Sequence, residues 1–252
     1  MNAPRFVVVL PARFDSQRFP GKPLAVIAGK PLIEWVYQRA QQIRGAERVV
    51  VATDHPEIVE TVERFGGNVV MTSGDHLTGT DRVAEVATSL DCECVVNLQG
   101  DEPIFPTELV EEMVAVMGGD KAIDIVTACH PVFDREELAN PNVVKVVMDR
   151  RGRALYFSRL PIPLGRDASH GAAKSVDGCL GYRHIGIYAF RRQSLLRMSQ
   201  TKQSALELSE GLEQLRALEH EMVIHVLKTA QPTVGVDVPE DVKNVEKALG
   251  TT

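Results

Sequence analysis

The stretch Val7–Leu24, VVVLPARFDSQRFPGKPL, sets the reading of the chain: four consecutive apolar residues run into a polar loop that carries Arg13, Arg18 and Lys22. An apolar run this short and this β-branched predicts a buried strand, and the turn-forming residues after it predict the loop by which the chain leaves the sheet. Three cations within ten residues stand out in a chain of net charge −6. Charge patterning alone leaves two readings open. One is a solvated surface loop; the other is an anion cradle at the carboxyl end of a strand, where open α/β sheets bind their ligands.

Outward from this stretch the pattern repeats. Val49–Ala52, Asn68–Met71 and Cys94–Leu98 read as further buried strands, separated by amphipathic helices over LIEWVYQRAQQI, with proline at its first turn, EIVETVERF, RVAEVATSL and PTELVEEMVAVM. Strands too apolar to have a solvated face, alternating with helices of about ten residues, predict an α/β fold with a parallel sheet covered by helices on both sides. The polar loops Thr72–Asp81 and Gln99–Pro103 then join the cationic loop at the strand ends. Beyond Gly119 the rhythm changes. Ile123–Ala128, Val143–Asp149, Ala154–Phe157 and Tyr182–Phe190 are strand-like with few helices between them, and Asp149–Arg153 reads as a hairpin turn. This predicts an antiparallel or mixed second lobe. Its glycine-rich link Pro161–Gly181 reads as a flap or interface segment. A helix returns over ALELSEGLEQLRALEH, with Leu206, Leu212, Leu215 and Leu218 as its apolar side, and Pro239–Leu249 closes the chain as another.

Composition bounds what the chain can be. Its 252 residues, 44% hydrophobic and 25% charged, suffice for one sizeable core. The acidic balance, without a block of like charge, argues against nonspecific nucleic-acid or anionic-membrane binding. No apolar stretch approaches the roughly 18 residues of a membrane span, and the apolar run in MNAPRFVVVLPAR is too short for a signal peptide. The expectation is a cytosolic protein. Cys92, Cys94, Cys129 and Cys179 are scattered and read as ordinary buried or edge thiols.

A nucleoside triphosphate site needs cations and backbone donors around the phosphates and carboxylates for the bridging divalent ion. Neither GxxxxGK[ST] nor GxGxxG occurs, so a P-loop NTPase and a standard dinucleotide fold lose support. Asp101 in LQGDEP and Asp237 in GVDVPED each follow an apolar strand, as a magnesium site on such a sheet would require. Each taken alone could equally cap the helix after it. His184 and Tyr188, at i and i+4 of one strand, share a face. They suit either a half-buried sheet surface or a ligand site.

LPARFDSQRFPGKPL, VATDH, DHLTGTDR, NLQGDEP, NPNVVKVVMD, ALYFSRLPIP, YRHIGIYAF, LEQLRALE and VDVPED, in this order, resemble the 3-deoxy-manno-octulosonate (Kdo) cytidylyltransferases, or CMP-Kdo synthetases, from about Phe6 to Val245. The resemblance implies a Rossmann-like, mostly parallel sheet of the nucleotidyltransferase (GT-A-like) type with a smaller second lobe. Residues 1–128 and about 222–252 would bind CTP and Mg²⁺, and about 129–221 would bind the sugar and form a homodimer. It implies CMP transfer from CTP to the anomeric hydroxyl of Kdo, with pyrophosphate released, toward lipopolysaccharide. Arg13 and Lys22 would neutralise the triphosphate, with Arg18 a weaker candidate. Pro11, Ala12, Thr78, Gly79, Arg82 and Gln99 would surround the nucleoside, and Asp101 and Asp237 would hold Mg²⁺. Arg159, His184, Tyr188, Glu213 and Gln214 would bind the acid sugar, Arg159 by its planar fork on the carboxylate. Arg13, Lys22, Asp101 and Asp237 are thus the expected catalytic set. Thr78, Ala205 and Val238 stand where the family pattern commonly has serine, proline and threonine. Alternatives are the same reaction on an 8-amino analogue of Kdo or another acid sugar, and a non-catalytic nucleotide-binding module.

Overall fold

The opening apolar run forms β1 (Phe6–Ala12), buried along its whole length because both faces are covered. Its side chains alternate between two cores: Val8 and Leu10 enter one, Val7 and Val9 the other. That period of two is what a strand between two helical layers requires. β4 (Ala46–Thr53) and β6 (Cys94–Asn97) flank β1 in parallel, and β5 (Val69–Met71) extends the sheet beyond β4. The computed structural model describes residues 3–15, 19–164, 178–231, 233–236 and 238–249. Arg18, Asp237 and the 165–177 part of the expected flap lie outside them.

The sheet continues through β10 (Gly181–Arg191), β7 (Ile125–Val132) and β11 (Ile224–Lys228), giving the order β11-β7-β10-β6-β1-β4-β5 among the described residues. β10 pairs antiparallel with both β6 and β7, whereas β11 is parallel to β7. The sheet is therefore mostly parallel with β10 reversed inside it. β8 (Lys145–Met148) and β9 (Ala154–Ser158) form a hairpin that joins the sheet through β10. Its turn is held by Asp149 Oδ1, which accepts from Arg151 N at 2.8 Å and Arg153 N at 2.9 Å. A small antiparallel pair, β2 (Val26–Ile27) and β3 (Lys30–Pro31), lies apart.

Helices α1 (Leu32–Ala40), α2 (Pro56–Arg64) and α4 (Thr107–Gly119) pack on one face, and α3 (Gly79–Thr88) and α6 (Arg192–Ser199) on the other. Burying each Val, Leu or Ile of these faces contributes about 1.5–3 kcal/mol. Pro31 precedes α1 as its N-cap rather than lying in its first turn. The short α5 (Arg135–Ala139) and α6 were not apparent from the sequence pattern.

The helix expected from Ala205 to His220 is two helices, α7 (Ala205–Glu210) and α8 (Gln214–Glu219). Gly211 breaks it with φ 63°, a left-handed conformation that glycine adopts without the Cβ clash. Leu212 and Leu215 then reach the core, but Leu206 is left exposed. Because β1, β4, β5 and β6 run the same way, their carboxyl ends lie on one edge. The reversed β10 brings its amino-terminal half to that edge as well.

Candidate active site

Arg13 follows β1 directly. Gly21, at φ 69°, folds the loop back so that its N–H donates to the Phe14 carbonyl at 2.9 Å. This turn places Lys22, whose Nζ donates to the Asp101 carboxylate and to the Val236 carbonyl at 2.9 Å. The 234–236 segment is tied to the strand-end loop by two bonds, Val236 N to the Asp101 carbonyl and Val234 N to the Ile104 carbonyl, both 2.9 Å. Three parts of the chain far apart in sequence thus meet at one cation. Asp237, next in sequence, is outside the described residues.

Gly100 explains how the third loop comes so close. A Cβ there would lie 2.7 Å from the Pro11 carbonyl oxygen, so only glycine fits against the end of β1. Pro11, Arg13, Lys22, Gly79, Gln99 and Asp101 then line a cavity of about 220 Å³ together with Asp15, Pro23 and Gly100. Ala12 is buried at the end of β1 beside it. Arg13 Nη2 is buried with no hydrogen-bond partner among the described residues. Burial, and then the neighbouring Arg82 cation, hold the Arg13 guanidinium below its usual pKa. Its charge is under-compensated, which an anion in this cavity would correct.

Thr78 is the N-cap of α3, its Oγ1 accepting from Asp81 N at 3.1 Å and donating to Asp81 Oδ2 at 2.8 Å. The helix therefore presents its amino end, with Gly79, to the cavity, an arrangement that favours anions. Arg82 is fully buried and does not line it. Its guanidinium donates to Asp54 Oδ2 at 2.5 Å, to the Ser73 carbonyl at 3.3 Å and to the Thr72 hydroxyl. Arg82 therefore staples the Thr72–Asp81 loop onto the end of β4.

A second cavity, of about 230 Å³, lies next to the first and shares Gln99 with it. His184, Tyr188, Glu213 and Gln214 all line it, with Thr80, Gly186 and Gly211. Gln99 Nε2 donates to the Gly186 carbonyl at 3.4 Å, across an irregularity in the β7–β10 pairing between Ile185 and Ala189. His184 Nε2 is 2.9 Å from Thr127 Oγ1, and its ring lies 5.4 Å from that of Tyr188. Burial pushes the His184 pKa down to about 3, so the imidazole is neutral. Burial raises the Tyr188 phenol, with Glu213 and Glu102 adding to the effect. Burial also raises the Glu213 carboxyl, against a hydrogen bond from Thr80.

Arg159 is not on this wall. Its Nε donates to the Glu210 carbonyl at 2.7 Å, Nη1 to Pro141 at 3.1 Å and Nη2 to Gly211 at 3.4 Å. The fork holds the backbone of Gly211, which does line the cavity. Lys145 supports it from below, fully buried, donating to the carbonyls of Asn140 at 2.9 Å, Val143 at 2.6 Å and Arg159.

A family model described as cytidylyltransferase matches residues 7–224 of the chain. The 3-deoxy-manno-octulosonate cytidylyltransferase of Syntrophotalea carbinolica is 48% identical over 242 residues, spanning 96% of this chain and 97% of that protein. The chain belongs to the 3-deoxy-manno-octulosonate cytidylyltransferase family. It is accordingly a nucleotidyltransferase. A solved CMP:2-keto-3-deoxy-manno-octonic acid synthetase, complexed with CTP, is 42% identical with a TM-score of 0.90 over 98% of this chain and 99% of that one. A cytidylyltransferase from Leptospira borgpetersenii, at 15% identity and TM-score 0.64 over 98% of this chain and 87% of that one, shares the fold.

For this cytidylyltransferase, sequence reasoning left several contributors unassigned: Asp54 on Arg82, Thr80 on Glu213, Lys145 and Glu210 around Arg159, and Arg216. Thr78 and Asp81 have the T-x-x-D spacing of a capped helix start, so that signal was there to read. The others are long-range pairs and leave no local pattern. No helix is long and apolar enough to cross a membrane, and among the described residues no group of three or more His, Cys, Asp or Glu side chains converges for a metal.

Proposed function

We propose that the chain transfers CMP from CTP to the anomeric hydroxyl of Kdo, releasing pyrophosphate, as a step toward lipopolysaccharide. The observation that carries this reading is the pair of adjoining cavities sharing Gln99, one with the under-compensated Arg13, the other with His184, Tyr188, Glu213 and Gln214. A phosphoryl transfer needs its two substrates held in line, and positioning with electrostatics carries most of the rate.

In this reading Arg13, Lys22 and the amino end of α3 bind the triphosphate, while Pro11, Ala12, Thr78 and Gly79 shape the nucleoside wall. Arg82 acts through the loop it staples. Gln99 orients both substrates at the boundary. His184, neutral, and Tyr188 offer hydrogen bonds to the sugar, and Glu213 and Gln214 accept or donate to its hydroxyls. Arg159 serves the sugar through the Gly211 corner, and its guanidinium is the group a sugar carboxylate could recruit. Asp101 is the right donor for a divalent ion: a partly exposed carboxylate already holding a cation in Lys22. Asp101 with Asp237 would hold Mg²⁺, which when bound draws charge off the α-phosphate.

The chain is further read as a cytoplasmic homodimer. Support for the dimer comes from exposed Phe133, Leu155, Leu160, Leu164 and Leu208, large apolar side chains concentrated in the expected second lobe. A monomer in sedimentation would overturn that part. The central test is pyrophosphate release from CTP and Mg²⁺ with Kdo, with 8-amino-Kdo, and with no acceptor. Kdo-dependent release supports the proposal. Preference for the amino analogue moves the substrate, and CTP binding without acceptor-dependent release points to a non-catalytic module.

A further inference from the structure

Arg216 belongs to the LEQLR stretch, but it is not on the wall that Glu213 and Gln214 line. Its side chain is 4% exposed. Nε and Nη2 form a fork on the Glu207 carboxylate, at 2.8 and 2.6 Å. Nη1 donates to the carbonyls of Met198 at 3.3 Å and Thr201 at 3.2 Å, and lies 3.7 Å from Asp81 Oδ1. Glu207 closes the capping box of α7 with Ser204, and Asp81 sits in the first turn of α3, bonded to Thr78. One guanidinium thus joins α3, α6, α7 and α8.

A buried ion pair is weak evidence for net stability, since desolvation offsets most of the attraction. What the junction does supply is fixed geometry. Of the four helices it joins, α3 brings Gly79 to the first cavity, just past its Thr78 cap, and α8 begins at Glu213 and Gln214 in the second. Thr80, in the first turn of α3, also hydrogen-bonds Glu213 at the start of α8.

We propose that Arg216 is a positioning residue that holds the start of α8 in register with the start of α3, through Glu207 on one side and Asp81 on the other, so that filling the nucleotide cavity is felt in the sugar cavity. The inference rests on reading the two cavities as CTP and acid-sugar sites. Lysine at 216 would keep the charge but lose the planar fork, so geometry and charge can be separated.

The test compares wild type, Arg216→Lys, Asp81→Asn and the double variant, each first checked for folding by circular dichroism. Arg216→Lys is expected to lower kcat/KM for Kdo on the order of 10- to 100-fold while affinity for CTP alone stays near wild type. The double variant is expected to be no worse than the poorer single one, because both cut the same link. Arg216→Ala is expected to regain turnover with millimolar guanidinium, which can enter a cleft of about 420 Å³ lined by Arg216, Asp81 and Gln203. Equal loss for both substrates, additive effects in the double variant, or full activity in folded variants would overturn the proposal. If Arg216→Lys does not fold, Asp81→Asn decides by whether its loss falls on Kdo while CTP affinity is kept, since the Asp81 side chain also bonds Thr78 on the nucleotide side. Amide hydrogen exchange separates the inference from the reading beneath it. CTP should protect both 7–24 and 205–219 in wild type, and only 7–24 in Arg216→Lys. Protection of 7–24 alone in wild type sinks the coupling; protection of neither sinks the nucleotide site.

Discussion

Lys22 and Asp101 meet across the cavity, the lysine ammonium donating to the aspartate carboxylate and to the Val236 carbonyl at once. The cation expected for phosphate and the carboxylate expected for the divalent ion neutralise each other, and neither is deeply buried, with side chains 12% and 30% exposed. Asp101→Asn should keep the shape of the loop and lose the charge, lowering turnover at saturating CTP and Mg²⁺ by about 10²-fold or more. Near wild-type pyrophosphate release would remove Asp101 from the metal. Lys22→Met should instead act mostly on KM for CTP, as loss of a phosphate contact.

Gly100→Ala tests the close approach of the third loop to β1. The added methyl has no room beside the Pro11 carbonyl, so the loop carrying Gln99 and Asp101 must shift. Expected are a stability loss of about 1–3 kcal/mol, read from urea denaturation, and weaker binding of both substrates. A fully active, fully stable variant would show that the loop has slack.

The acid side of the pH profile should report Glu213. Burial holds its carboxyl above the usual range, so protonation begins at a higher pH than for an exposed glutamate. If the ionised form accepts sugar hydroxyls, KM for Kdo rises as pH falls through that raised value. Glu213→Gln should have a higher KM throughout and lack this limb. A Glu213→Gln profile identical in shape to wild type would assign the limb elsewhere.

His184 acts on stability in the acid range, because burial holds its folded pKa at about 3, below the 6.5 of a free imidazole. Below about 6.5 the unfolded chain takes up a proton that the folded chain refuses, so stability falls as pH drops toward about 3. The slope approaches 1.4 kcal/mol per pH unit in that window. His184→Gln should flatten it in denaturation curves at pH 4 to 7.

Lys145→Met takes the ammonium donor away from the carbonyls of Asn140, Val143 and Arg159, of which that of Asn140 keeps the Val143 N–H at 3.1 Å. A loss of roughly 2–4 kcal/mol is expected, seen as a Tm lower by on the order of 10 °C. Because Arg159 loosens with it, KM for Kdo should rise while KM for CTP holds.

The parallel half of the sheet was legible because strands covered on both faces are short, mostly apolar and β-branched, as Val7–Leu10 and Val49–Ala52 are and Cys94–Leu98 is apart from Asn97. The loops at their carboxyl ends followed from the same argument, and with them Arg13, Lys22, Gln99 and Asp101. The break at Gly211 was missed because leucine spacing continues across it. A left-handed glycine inside an apolar pattern leaves the periodicity of its neighbours unchanged.

Local sequence determined the strands, the helix starts and the residue types available for chemistry, since these depend on neighbours within a turn or two. Tertiary structure alone decided the direction of β10, because a strand's own residues do not specify which way its partners run. That reversal brings His184 and Tyr188 to the edge where β1 and β6 deliver Arg13 and Gln99. It likewise decided which cations face a cavity and which are spent on the frame. Arg13 is left short of partners, while Arg82, Arg159 and Arg216 are committed to carboxylates and carbonyls from distant parts of the chain.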